Sequence, residues 1–161
     1  MAGAVRVVVG LDGSPESLAA LERAVREAAR REAVLVAVST WRPSEHGPGS
    51  GAAAERTAHR RVDASFARVL GGYPSGLVIR PAVARGGLGP ALVAAAEPDD
   101  LIVVGDGGGR LARLLHASPA AHCRARARCT VLTVPPPHRV SARAPAWAPP
   151  ARTPPTWTPA A

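Results

Sequence analysis

Short β-branched runs alternate with longer stretches of helical spacing over the first 134 residues of the chain. The first run, Val5–Leu11, is apolar apart from Arg6, the pattern of a strand buried on both faces. Ser14-Pro15-Glu16 then opens a helix: a capping serine, a proline at the first helical position and an acid in the first turn. Leu18, Leu21, Val25 and Ala28 or Ala29 give this helix one apolar stripe to set against a sheet. Val34–Trp41 predicts a second strand. The polar, glycine-containing stretch Arg42–Ala54 predicts a connection, and Glu55–Leu70 a second helix with Val62, Phe66, Val69 and Leu70 inward. Gly71-Gly72 ends it. A third strand over about Leu77–Ala84 and a short helix around Pro90–Glu97 follow. The rest reads as a fourth strand over Leu101–Gly105, a glycine-rich loop at Asp106–Gly109, helical sequence to about Arg128, and a fifth strand over Thr130–Val134.

Strict alternation of strand and helix predicts an α/β fold, because parallel strands need long, right-handed crossovers. The expected architecture is a Rossmann-like or flavodoxin-like open parallel five-stranded sheet, order 3-2-1-4-5, with helices on both faces. Residues 1–134 make up this domain. From Pro135 onward the composition changes: 9 of the chain's 17 prolines fall in the last 27 residues, with almost no aliphatic side chain larger than alanine. Such a segment cannot offset its ordering entropy, so 135–161 is expected to be an extended, disordered tail. Trp147 and Trp157 stand within it, where a tryptophan between prolines can serve as a docking point.

The net charge of +8 raises the question of nucleic acid. Every basic residue is arginine and none is lysine, and the arginines are dispersed. Arg23, Arg26, Arg30 and Arg31 interleave with Glu22, Glu27 and Glu32, which reads as a solvated helix face. No specific nucleic-acid partner is expected, only non-specific attraction to polyanions. The N-terminal MAGAVRVVVGLDGS lacks an apolar region behind a basic start, so no signal peptide is expected. No stretch approaches the roughly 18–20 apolar residues of a membrane span. Cys123 and Cys129 match no zinc or redox spacing and read as reduced thiols. A cytoplasmic protein is the expectation.

Two segments stand apart from scaffold. Gly10-Leu11-Asp12-Gly13-Ser14 joins strand one to helix one, and Gly105-Asp106-Gly107-Gly108-Gly109 follows strand four. With strands one and four adjacent, both turns rim one crevice at the topological switch point, where open α/β sheets bind ligands. Glycines let backbone N–H groups approach phosphate oxygens beside a helix N-terminus. Against this, glycines after strands often serve only a tight turn. With no lysine a Walker-type loop is excluded, and no GxGxxG follows strand one.

VVVGLDGSPESLAALERAVREAARREAVLVAVSTW closely resembles the opening of the universal stress protein family, and DDLIVVGDGGGRLARLLHASPAAHCRARARCTVLTV resembles that family's glycine-rich nucleotide loop, last helix and last strand. The resemblance spans about residues 4–134 and implies the same sandwich, a frequent homodimer and, in many members, binding of ATP. It implies that Asp12 lies near the nucleotide and any magnesium. It also implies that the backbone of strand two holds adenine near Ala37–Ser39, centred on Val38. The family loop has the form G-x2-G-x9-G-[ST]. Gly105 and Gly108 fit its start, and Gly10 and Gly109 join the candidate cofactor-binding set. At the loop's end stands Ser118-Pro119, with no Gly-Ser pair; matching Ala117-Ser118 instead leaves the loop one residue short. The basic residue usual after the first loop glycine is absent, and Asp106 stands there, a like charge worth on the order of 1 kcal/mol against phosphate. Arg110 or Arg113 would have to compensate. Ser118 reads equally as a phosphate contact or as the N-cap of the last helix.

No catalytic base with a defined partner appears. His122 beside Cys123 lacks an orienting group, and His59, His116 and Trp41 read as surface or packing residues. The expected protein is a non-enzymatic regulatory domain that binds an adenine nucleotide and signals through dimer or partner contacts in stress response. The alternative is an interaction member of the same family that has lost nucleotide binding and acts by dimerisation only. Thr130–Val134, an uncharged strand at the sheet edge, is the expected homodimer seam.

Overall fold

Valine runs set the centre of the sheet. In the computed structural model, which describes residues 4–43, 50–107 and 118–137, β1 (Arg6–Gly10) lies in the middle. It pairs in parallel with β2 (Val34–Trp41) on one side and β4 (Leu101–Gly105) on the other, Val8 standing opposite Val36 and Ile102. β3 (Ile79–Arg85) lies outside β2, and β5 (Thr130–Val134) outside β4. The order is β3-β2-β1-β4-β5, the flavodoxin-type order expected, and every pairing is parallel, as the alternation predicts.

The period of two in each strand divides the core into two layers. Val7, Val9, Leu35, Ala37, Leu101 and Val103 face α1 (Pro15–Arg31) and α2 (Ser50–Leu70). Val8, Val36, Val38, Ile102 and Val104 face α3 (Leu88–Ala95) and α4 (Pro119–Arg126). The helix after β1 and the helix after β4 therefore leave toward opposite faces, and a crevice opens between them at the carboxyl ends of the strands. Val7, Val8, Val9, Leu35 and Ile102 are wholly buried; each contributes roughly 1.5–3 kcal/mol relative to exposure.

Several boundaries differ from those the sequence predicts, and each has a local cause. β1 is shorter by one residue at each end, because Val5 is exposed and Leu11 has already turned inward, its amide donating to the Val38 carbonyl at 2.8 Å. α2 begins at Ser50 rather than Glu55: the alanines at 52–54 are strong helix formers, and Gly51 lets the helix pass against the Trp41 ring. β3 starts at Ile79 and runs to Arg85, with Val78 still in solvent. α3 starts at Leu88, two residues ahead of Pro90, because a proline within the first turn removes only a donor that lacks a partner anyway. α4 ends at Arg126.

The α1 polar face is not wholly solvated. Glu27 is buried, and its carboxylate accepts from Arg23 at 3.0 Å and from Arg30 and Arg31 at 3.3 Å. Burial pushes its carboxyl up, the bonds from Arg31 and Arg23 outweigh this, and the group lies below the usual carboxylate range. At the opposite end of the sheet from the crevice, buried Asp100 receives the Arg6 backbone amide at 2.9 Å and a fork of Nε at 3.0 Å and Nη2 at 2.7 Å. The Glu97 amide adds a fourth bond at 2.7 Å. Together these clamp the starts of β1 and β4.

Candidate functional site

The crevice is built from two strand-to-helix turns. At the first, Gly13 takes φ +83°, a left-handed conformation suited to glycine, and turns the chain so that Ser14 caps α1. Ser14 Oγ accepts from the Ser17 amide at 3.2 Å, and Ser17 Oγ donates back to the Ser14 carbonyl at 2.9 Å. Asp12 Oδ1 accepts from the Ser14 amide at 2.9 Å, closing an Asx turn that leaves the side chain at the exposed rim. Desolvation pushes the Asp12 carboxyl up, but hydrogen bonds from Ser14 and Ser17 hold it below the usual range. It is a carboxylate at neutral pH.

The second turn leaves β4 at Gly105. Asp106 is tied to β5 by its amide, which donates to the Val134 carbonyl at 2.7 Å, and its carboxylate stands 3.9 Å from Arg124. Ser118, nearly buried, caps α4 through Oγ, which accepts from the Ala121 amide at 3.1 Å. Gly108 and Gly109, with Arg110, Arg113 and His116, lie outside the described residues, as does the tail from residue 138 with Trp147 and Trp157.

Gly10, Asp12, Gly105 and Pro119 line one crevice, so the two turns do meet at the switch point. Glu16 lines it as well, and so does Leu88 from α3. A side chain at Gly10 would press on Leu92 at 2.9 Å and Leu88 at 3.1 Å, so this glycine lets α3 close over the strand end. A side chain at Gly105 would meet the Glu16 backbone at 2.7 Å, and one at Gly107 would overlap the Glu16 side chain at its Cγ. Space, and not turn geometry, therefore requires glycine at both positions. The Glu16 side chain stands against Gly107 at the crevice, and the space enclosed there by the described residues is about 10 Å³, room for about one water. Nothing in the sequence distinguishes Glu16 from an ordinary first-turn acid; only the approach of β4 to α1 gives it this position.

Val38 is buried against the α3 layer, and its carbonyl is engaged by Leu11. On the neighbouring residues, Arg61 of α2 donates from Nη1 to Ser39 Oγ at 3.0 Å and to the Thr40 carbonyl at 3.1 Å, its stem lying beside Gly13. Sequence reasoning missed Arg61, whose only signal was a helix position. The charge pattern is uneven: Asp12, Glu16 and Asp106 stand around the crevice, while Arg61 stands across the Gly13 turn. No group of three or more possible metal ligands occurs among the described residues.

The model of the universal stress protein family matches residues 5–135. Among solved structures, the chain is 29% identical to a universal stress protein in complex with cAMP, with TM-score 0.56, covering 83% of this chain and 98% of that one. It is 28% identical to a universal stress protein family member from Burkholderia pseudomallei, with TM-score 0.56, covering 82% of this chain and 96% of that one. UspA from Lactobacillus plantarum, at 23% identity and TM-score 0.60, covers 83% of this chain and 99% of its own and shares the fold. No curated protein sequence matches the chain.

Proposed function

The chain belongs to the universal stress protein family, and on that premise we propose that it is a regulatory domain whose switch-point crevice takes an adenine nucleotide. The observation that carries this reading is the meeting of the Asp12 turn and the Gly105 turn in one crevice flanked by the capped starts of α1 and α4. A relative 29% identical in complex with cAMP supports an adenine ligand of this kind. The adenine lies toward the end of β2 near Val38, with Asp12 beside the ribose and phosphates.

ATP, the form the family resemblance implies, enters with magnesium. Asp12 is the residue that would touch the metal, which the nucleotide itself carries in; the ion offsets the carboxylates around the crevice. The chain performs no chemistry on its ligand. The bound state passes to partners through the surface of the protein and through a two-fold homodimer in which β5 strands meet, supported by the uncharged, half-buried Val131–Val134 edge.

Isothermal titration of the full chain with AMP, cAMP and Mg-ATP tests the reading. One nucleotide per chain is expected to bind, with affinity lost in Asp12→Ala. No binding of any of the three, or unaltered binding in that variant, overturns it. The second reading, a member acting by dimerisation alone, is favoured by one observation, the Glu16 side chain standing against Gly107 at the crevice. It predicts dimers and no nucleotide heat.

A further inference from the structure

Away from the switch point, α3 and α4 cross closely and leave a groove along their outer side. The crossing is close because Gly89 has no side chain: a Cβ there would come within 2.7 Å of the His122 Cβ. The groove holds about 600 Å³, within the range of about 300–1,000 Å³ typical of sites for small organic ligands. One wall is apolar, from Pro90, Val93, Ala94 and Ala96 on α3 and its exit. The other is cationic, from Arg126 at the end of α4 and Arg128 just beyond it, with His122 between the walls.

The charges do not cancel within the groove. Among the described residues Glu97 is the one acid lining it, and it already pairs with Arg6 at 3.3 Å. Arg124, two residues before Arg126, stands 3.9 Å from the Asp106 carboxylate. Among the described residues Arg126 and Arg128 have no ion-pair or hydrogen-bond partner. Two guanidinium groups without carboxylates, set along an aliphatic wall, complement an anion that carries an apolar body.

We infer that the α3–α4 groove is a second ligand site, separate from the switch-point crevice, for a small amphiphilic anion. The anionic head, a carboxylate or a phosphate monoester, sits between Arg126 and Arg128. The aliphatic body lies on Val93, Ala94 and Ala96. The groove's position, across α3 from the Leu88 that lines the crevice, means that the same helix touches both sites.

The test uses the full chain with decanoate and decyl phosphate below their micelle concentrations, and decanol as the neutral control. Amide and methyl chemical shifts and isothermal titration supply the readouts. One ligand per chain is expected, with shifts at Val93, Ala94 and Arg126, and with decanol at least about tenfold weaker, as one charged hydrogen bond implies. The double variant Arg126→Gln/Arg128→Gln is expected to weaken both anions about tenfold or more while circular dichroism stays unchanged. Ala94→Glu, which adds a carboxylate to the apolar wall, is expected to weaken them similarly and leaves both arginines in place. Decanoate and decyl phosphate together decide which head the fork prefers. Equal binding of decanol, shifts spread over the whole surface, affinity indifferent to both variants, or binding of a glutamate-rich peptide in place of the anions overturns the inference. Mg-ATP is expected not to displace decanoate, so this result stands or falls apart from the nucleotide reading.

Discussion

Glu16 has two roles that the sequence presents as one. As the acid of the first turn it complements the dipole of α1, and in the folded chain its backbone lies against Gly105 and its side chain against Gly107. Glu16→Ala removes both the obstruction and a negative charge. We expect nucleotide affinity in this variant to rise by about tenfold, an effect on the order of 1 kcal/mol, read by titration with Mg-ATP; an unchanged or weaker affinity would show that Glu16 is no barrier. Asp100 carries a second prediction. Burial pushes its carboxyl up, bonds from Arg6 and the Glu97 amide outweigh this, and the folded carboxyl lies below the usual carboxylate range. Its contribution is therefore complete above the unfolded pKa of about 3.9 and is lost as pH falls through the lower folded value. Asp100→Asn is expected to cost about 2 kcal/mol at neutral pH and to flatten the acid limb of a Tm-against-pH curve. Cys123 shows the limit of residue-scale reading: burial raises its thiol to about 11, with Cys129 nearby adding to the shift, so it is a packed side chain at neutral pH.

Elements were legible where local chemistry set their ends. Ser14 and Pro15, and Ser118 and Pro119, fix two helix starts by side-chain caps and proline geometry, and both capping bonds form. The ends that moved are those where tertiary contact decides. α2 gains its first turn by laying Gly51 on Trp41, and α3 gains Leu88 and Gly89 because they close over Gly10 and under His122. Gly89→Ala tests that last contact. The added methyl group would sit 2.7 Å from the His122 Cβ, so the two helices must separate. The expected cost is about 1–3 kcal/mol in denaturant unfolding, the usual penalty of overpacking. A neutral result would show that the α3–α4 crossing yields easily.

For the whole molecule the open questions are assembly and extent. β5 forms one edge of the sheet and β3 the other, and they differ: β3 carries Pro81 mid-strand and exposed Arg80, which blunt it, whereas β5 has neither. Leu132→Asp is expected to convert dimer to monomer in sedimentation at tens of micromolar, with some loss of stability. A wild-type chain that is monomeric there would count against β5 as the seam. Among the described residues, every core residue falls between Val7 and Val134. Removal of residues 138–161 is accordingly expected to shift Tm by no more than a few degrees; loss of cooperative unfolding would show that the tail packs.

The sequence by itself determined the order of elements, the parallel sheet and the family, because those follow from periodicity, caps and the two glycine turns, each encoded within a few neighbouring residues. It placed Asp12, Gly10 and Gly105 around one crevice once a flavodoxin-type strand order set strands one and four side by side. Only the tertiary structure decided what occupies that crevice. Glu16 comes from one turn and Gly105 and Gly107 from another, some ninety residues apart, and their overlap depends on how closely α1 approaches the end of β4. The same holds for Arg61 on Ser39 and Thr40, for the three arginines around Glu27, and for Arg126 and Arg128 brought beside α3. Local pattern fixes which face a residue takes, but which charge it meets across that face is set by packing distances that no spacing in the chain records.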